Sequence, residues 1–198
     1  MIRSRFAVLL VFFFLASAGF AQSNDAAVTF GGTFTPGAQG SAFCEAIPVC
    51  PQGNVSRGVD PGFAIEGTYA HRLVNFSAAS LHLELPFMFT PTRKSEFLGP
   101  DFSTFFFTPS LRLKFLPSSG VSPFVSVGGG LGRFKQGSIS DNHGAFQVGG
   151  GVDFKTHLPL LGFRLETRDF IAGPPSFSSL TNSHLNNLFV GGGIVLHF

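Results

Sequence analysis

The chain has 198 residues, a formal net charge of +2, and 12% charged residues against 44% hydrophobic ones. So few charges argue against an ordinary soluble domain, where roughly a quarter of residues are charged, and near-neutrality without a basic run argues against a nucleic-acid partner. Glycine (25), proline (13) and phenylalanine (27) punctuate the sequence, with one Tyr and no Trp. After the N-terminal segment, no stretch keeps the unbroken apolar length of a spanning helix, about 20 residues.

The first segment, MIRSRFAVLLVFFFLASAGFAQS, sets Arg3 and Arg5 before an apolar run from Phe6 to Ala18, followed by small residues. This layout predicts a cleaved secretory signal over residues 1–21, cut after Ala21, with Ala16 and Ala18 framing a second candidate cut. The run is short for a membrane span, and no Cys follows the cut to carry a lipid anchor. Residues 22–198 then make one domain.

From there the sequence reads with period two, the spacing of a β-strand with unlike faces. Eight segments follow in chain order: Ala27 to Thr35, Gly62 to His71, Ala79 to Phe89, Thr104 to Phe115, Val121 to Arg133, Ala145 to Lys155, Leu161 to Phe170, and Asn187 to Phe198. One face of each is apolar, as in Leu81, Leu83, Leu85, Phe87 and Phe89 of the third. Strands of this length cross a bilayer when tilted. The connections alternate. Short ones lie at HRLVNFS, LPSSG and THLPL, and long ones at Pro36 to Pro61, Thr90 to Ser103, Phe134 to Gly144 and Ile171 to Asn186. Short turns at one end and long loops at the other are the pattern of an outer-membrane barrel. A weak repeat, VGGG at Val127, Val148 and Val190, fits one strand and one connection per unit.

The second face of each segment is small and polar: Thr29, Thr33, Thr68, Ser110, Ser126, Gly128, Gly130, Gln147, Gly149 and Gly151, with few charges. Its acids are Glu66, Glu84, Asp153 and Glu166, and its bases Arg112, Lys114, Lys155, Arg164 and Arg168. Small residues suit the narrow bore of an eight-stranded barrel, and charges withdrawn from water must be paired. These nine residues are expected to form a lumen charge network. Arg164, Glu166 and Arg168, at alternate positions, point one way. A lipocalin-like soluble barrel, with the apolar face turned inward around a ligand, is the alternative.

The glycine triplets do not make a phosphate-binding loop, because strand pattern resumes after each one where a helix would have to begin. Glycine in a strand instead permits the bending a small barrel needs. Cys44 and Cys50, the two cysteines, are expected to form a disulfide in the first long loop of an exported chain. The six histidines show no metal-ligand spacing, so no metal and no cofactor is expected. His82 and His197 fall on the lumen face as hydrogen-bonded fillers. No catalytic constellation stands out, and the chain reads as non-enzymatic. Asp141, His143 and His184, in the loops, are the residues an outer-membrane lipid hydrolase would have to use.

The signal segment, the eight strands and the closing GGGIVLHF resemble the small OmpA-type outer-membrane β-barrel domains over essentially the whole mature chain. The resemblance implies an all-β, eight-stranded antiparallel up-and-down barrel in the bacterial outer membrane, with both ends periplasmic and a structural or surface-interaction role for its loops. It implies that Val190, Ile194, Leu196 and Phe198 form the signal read by the barrel-assembly machinery, after passage with periplasmic chaperones. Outer-membrane lipid would surround the barrel. Two features depart from the family: aromatic girdles would have to use Phe (Phe63, Phe87, Phe89, Phe115 and Phe124) in place of Trp and Tyr, and no peptidoglycan-binding domain follows the barrel.

Overall fold

The computed structural model describes residues 23–36, 59–95, 99–158, 160–174 and 184–198. The expected signal segment, Cys44 and Cys50 lie outside the described residues. Every described element is a strand: β1 (Asn24–Thr35), β2 (Val59–Asn75), β3 (Ala79–Ser95), β4 in two runs (Gly99–Phe107 and Ser110–Phe115), β5 (Val121–Gln136), β6 (Ile139–Lys155), β7 (Leu161–Ala172) and β8 (Leu185–His197). Each pairs antiparallel with its sequence neighbour, and β8 pairs with β1 from Asp25↔His197 to Phe34↔Leu188. The sheet is therefore a closed eight-stranded barrel with no free edge. In lipid this matters, because an unpaired backbone amide there costs several kcal/mol.

β4 breaks at Thr108–Pro109 because Pro109 has no N–H to give the ladder. Its carbonyl still accepts from Gly129 N–H at 3.1 Å, so the strand resumes in register at Ser110↔Gly128.

The end that carries Asn24 and His197, called basal here, has the three tight turns. Phe76 N–H donates to the Ala79 carbonyl at 2.8 Å in the first, and Ser119 N–H to Leu116 O at 2.9 Å in the second. At the opposite, apical end two expected loops prove to be strand. β3 and β4 stay paired as far as Ser95↔Gly99, through two irregularities in register. β5 and β6 stay paired to Gln136↔Ile139, leaving only Gly137 and Ser138 as a turn. Gly137 has φ 56°, a left-handed conformation that glycine adopts without Cβ strain. Backbone pairing does not need apolar side chains, so these hairpins continue where the sequence turns polar.

The faces are inverted relative to a water-soluble protein. Val28, Phe63, Leu83, Leu111, Val127, Phe146, Leu165 and Ile194 all project outward and are exposed, whereas Arg112, Arg164 and Arg168 are fully buried. The lipocalin-like alternative, which needs the apolar face inside, is excluded by this geometry.

Candidate functional site: a filled lumen

The interior is built in three layers, and each layer follows from the alternation that sends every second side chain inward. The basal mouth holds Asp25, Ser80, His82, Lys114 and His197 around a recess of about 40 Å³. His82 Nε2 lies 2.9 Å from Ser80 Oγ, and His197 Nδ1 lies 2.7 Å from Asp25 Oδ1. Both histidines are thus held by neighbours in the way a filler would be. Lys155 lies at the same mouth but is exposed, and its Nζ donates to the Pro117 carbonyl at 2.5 Å. It makes no ion pair with the buried charges, contrary to the expected network, because it ends β6 one step past the seal formed by Asp153.

The middle layer is a continuous ionic lattice. Arg112 reaches Asp25 at 2.5 Å and Glu84 at 3.4 Å. Lys114 lies 3.4 Å from Asp25 and 2.8 Å from Asp153. Arg164 grips Asp153 with two parallel bonds, Nε to Oδ1 at 2.7 Å and Nη2 to Oδ2 at 3.1 Å, and gives a third to Thr68 Oγ1 at 3.1 Å. Arg168 takes both oxygens of Glu84 in the same forked way, at 3.0 and 2.9 Å, and its Nε and Nη2 converge on the single Oε2 of Glu166, at 3.1 and 2.9 Å. Such bidentate, charge-assisted contacts are the strong class of hydrogen bond and fix both partners' orientation. Thr29 donates to Glu166 at 2.7 Å and Ser110 to Glu84 at 3.1 Å. Ser126 accepts from Arg168 at 3.3 Å and from Gln147 at 3.0 Å.

The structure therefore joins Glu66, Glu84, Arg112, Lys114, Asp153, Arg164, Glu166 and Arg168, and adds Asp25, which the sequence reading left outside its first strand. Counting side chains from Asp25 on β1 to His197 on β8, every strand contributes to the lattice. Glu66 is held differently from the rest. Its Oε1 lies 2.8 Å from Arg168 Nε, but that N–H is aligned on Glu166, so Glu66 keeps an ion contact without a directed hydrogen bond.

Phe124 corrects the expected girdle. It points inward, buried, with the Arg164 and Arg112 guanidinium groups 4.8 and 5.3 Å from its ring centre. A desolvated cation over an aromatic face is attracted by about 2 kcal/mol. Phe63, Phe87, Phe89 and Phe115 do face outward.

The apical layer is apolar. Met88, Phe106, Phe134, Phe170 and Phe189 are fully buried in one cluster with Ala64, Ala145 and Leu185. Phe106 meets Phe134 edge-on at 5.7 Å and Phe170 at 5.0 Å. His143 closes the cluster, 6.1 Å from the Phe134 ring, with Nε2 2.9 Å from Asp141 Oδ2. His143 and Asp141 are thus brought together at the apical rim, in contact with the aromatic plug, while His184 is exposed at the start of β8. The sequence reading missed this plug, although the parity of each strand places all four phenylalanines inward. Val190, Ile194 and Leu196 lie exposed on the outer wall, and Phe198 follows β8 with its N–H bonded to Asn24 O at 2.9 Å. Among the described residues, no group of His, Cys, Asp and Glu could hold a metal.

No family model matches the chain, and no curated protein matches it in sequence. Solved structures do match in shape. Neisserial surface protein A is 13% identical, with 87% of this chain and 97% of that one covered at a TM-score of 0.55. The N-terminal β-barrel domain of Pseudomonas aeruginosa OprF is 12% identical, with 89% and 98% covered at a TM-score of 0.52. At such identities the likeness concerns the fold. The chain has the closed eight-stranded fold of small outer-membrane proteins, and with an apolar outer wall and sealed ions it is a transmembrane β-barrel of the bacterial outer membrane.

Proposed function

We infer that the protein is a non-catalytic, non-conducting barrel of the outer membrane, a rigid scaffold that presents its apical loops at the cell surface with both ends periplasmic. The observation that supports this is the filling of the bore: Arg168 bound to three glutamates, beneath an aromatic plug. Arg164 and Arg168, at the centre of the bore, give each of their guanidinium nitrogens to Asp153, Thr68, Glu84 or Glu166, so neither is aimed at a passing solute, as catalysis or transport would require. Outer-membrane lipid is the barrel's surrounding medium. Periplasmic chaperones and the barrel-assembly machinery are its proposed route, with the outward Val190, Ile194 and Leu196, followed by Phe198, as the segment recognised.

Two measurements test the reading. Reconstituted into a planar bilayer, the protein is expected to give no stable conductance steps, and open-channel currents of the untreated barrel would contradict the scaffold role. Protease applied to intact cells is expected to cut between Pro36 and Pro61 and to spare the 116–120 turn. Cutting at that turn would reverse the topology.

A further inference from the structure

The outer wall of β5 carries Val121, Pro123, Val125, Val127, Gly129 and Leu131, all exposed, and then Arg133 and Lys135, also exposed. From Val121 to Leu131 a strand rises ~33 Å, or ~25 Å of height at a tilt near 40°, the full apolar band of such a barrel. Arg133 and Lys135 then fall ~5 to 10 Å above the hydrocarbon edge, by the same rise and tilt. The headgroup zone adds ~5–8 Å to each leaflet, so Arg133 stands within it and Lys135 at its outer edge.

The neighbouring strands shape a place there. Phe105 is opposite Arg133 and Ser103 opposite Lys135 on β4. Phe89 is opposite Phe105 on β3. On the other side Asn142 is opposite Arg133 and Ser140 opposite Lys135. Phe89, Ser103, Thr104, Phe105, Arg133 and Lys135 line a recess of about 360 Å³. The Arg133 guanidinium donates to Ser140 Oγ at 3.3 Å. Among the described side chains, the ion pairs lie in the lumen or at His143, and none engages Arg133 or Lys135.

Two aromatic rings therefore stand at the top of the apolar band, with two cations and hydroxyl groups directly above them. The chemistry that fits is an amphiphile whose acyl chains lie on Phe89 and Phe105 and whose phosphate meets Arg133 and Lys135. We propose that this recess is a binding site for the phosphorylated headgroup of an outer-leaflet lipid. The site depends on the membrane placement given above. Simple snorkelling of the two side chains toward water would explain their position, but it would give no preference among lipids.

The test is native mass spectrometry of the detergent-solubilised barrel. It is titrated with a bisphosphorylated glucosamine lipid, with the same lipid dephosphorylated, and with inorganic phosphate as competitor. The wild type is expected to retain the phosphorylated lipid about thirtyfold better, from a contribution near 1 kcal/mol for each of the two cations. Arg133→Gln/Lys135→Gln is expected to reduce that preference to about twofold or less, while Arg72→Gln/Lys155→Gln at the basal end leaves it intact. An undiminished preference in Arg133→Gln/Lys135→Gln would overturn the site. Displacement of the lipid by equimolar inorganic phosphate would also overturn it, by reassigning the recess to free anions. Liposome flotation separates the two levels of failure. Wild-type protein that does not float refutes the membrane placement itself, whereas protein that floats without lipid preference refutes only the site.

Discussion

Glu84 and Glu66 sit in the same lattice with different holdings. Glu84 takes both forks of Arg168, a contact from Arg112 and the Ser110 hydroxyl. Glu66 has one ion contact and no aligned donor. The buried acids are Asp25, Glu66, Glu84, Asp153 and Glu166, and the buried arginines and lysine are Arg112, Lys114, Arg164 and Arg168, so the lattice has one acid more than it has strong bases. Removing one partner of a satisfied buried pair costs about 3–5 kcal/mol, because the other charge is stranded. Glu84→Gln is expected to destabilise the barrel by that amount, and Glu66→Gln by about 1 kcal/mol or less. Urea titration in lipid vesicles, read by the fraction of heat-modifiable folded band, checks both. Equal losses would mean that Glu66 is held as firmly as Glu84.

Among the elements, the seam between β8 and β1 is the contact that turns a sheet into a cylinder. It rests on close backbone approach. A Cβ placed on Gly193 would collide with the Val28 carbonyl oxygen, and one on Gly31 with that of Val190. These are rigid backbone atoms, so the strands would have to part. Gly193→Ala is expected to cost about 1–3 kcal/mol by overpacking and to lower the yield of folded band on refolding, whereas Ala at Gly67, where a Cβ meets nothing within 4 Å, is expected to have little effect. Equal tolerance at both positions would contradict the seam's role. The strands themselves were legible in the sequence because Leu81, Leu83 and Leu85 alternate with His82 and Glu84. The apical extensions of β3 to β6 were not, since Arg93, Lys94, Lys135 and Gln136 carry no apolar period and only backbone pairing marks them as strand. Asp25 was missed for a related reason. It shares the parity of Thr29 and Thr33, but it lies beyond the first apolar alternation, and its pairing with Arg112 and His197 exists only once the barrel closes. Phe124 shows the reverse error, since its composition suggested an outer girdle while its parity pointed inward.

At the scale of the molecule, a barrel that hides its ions and shows its apolar side chains is stable only in a medium that does not compete for either. In water the outer wall would be an apolar patch far beyond the few hundred Å² that soluble monomers tolerate. In lipid the same wall is solvated, and the ionic lattice is screened from the bilayer by its own strands. Everything proposed for the lumen and for the cationic recess follows from that inversion. The absence of tryptophan in the chain makes it directly measurable. A single reporter can be introduced as Leu111→Trp, Val127→Trp or Leu165→Trp on the outer wall, or as Leu158→Trp in a basal turn, and the barrel reconstituted in vesicles whose acyl chains carry bromine. Blue-shifted emission strongly quenched at the three wall positions, with little quenching at the turn, is the predicted result. Red-shifted, unquenched emission from the wall of a folded barrel would contradict it.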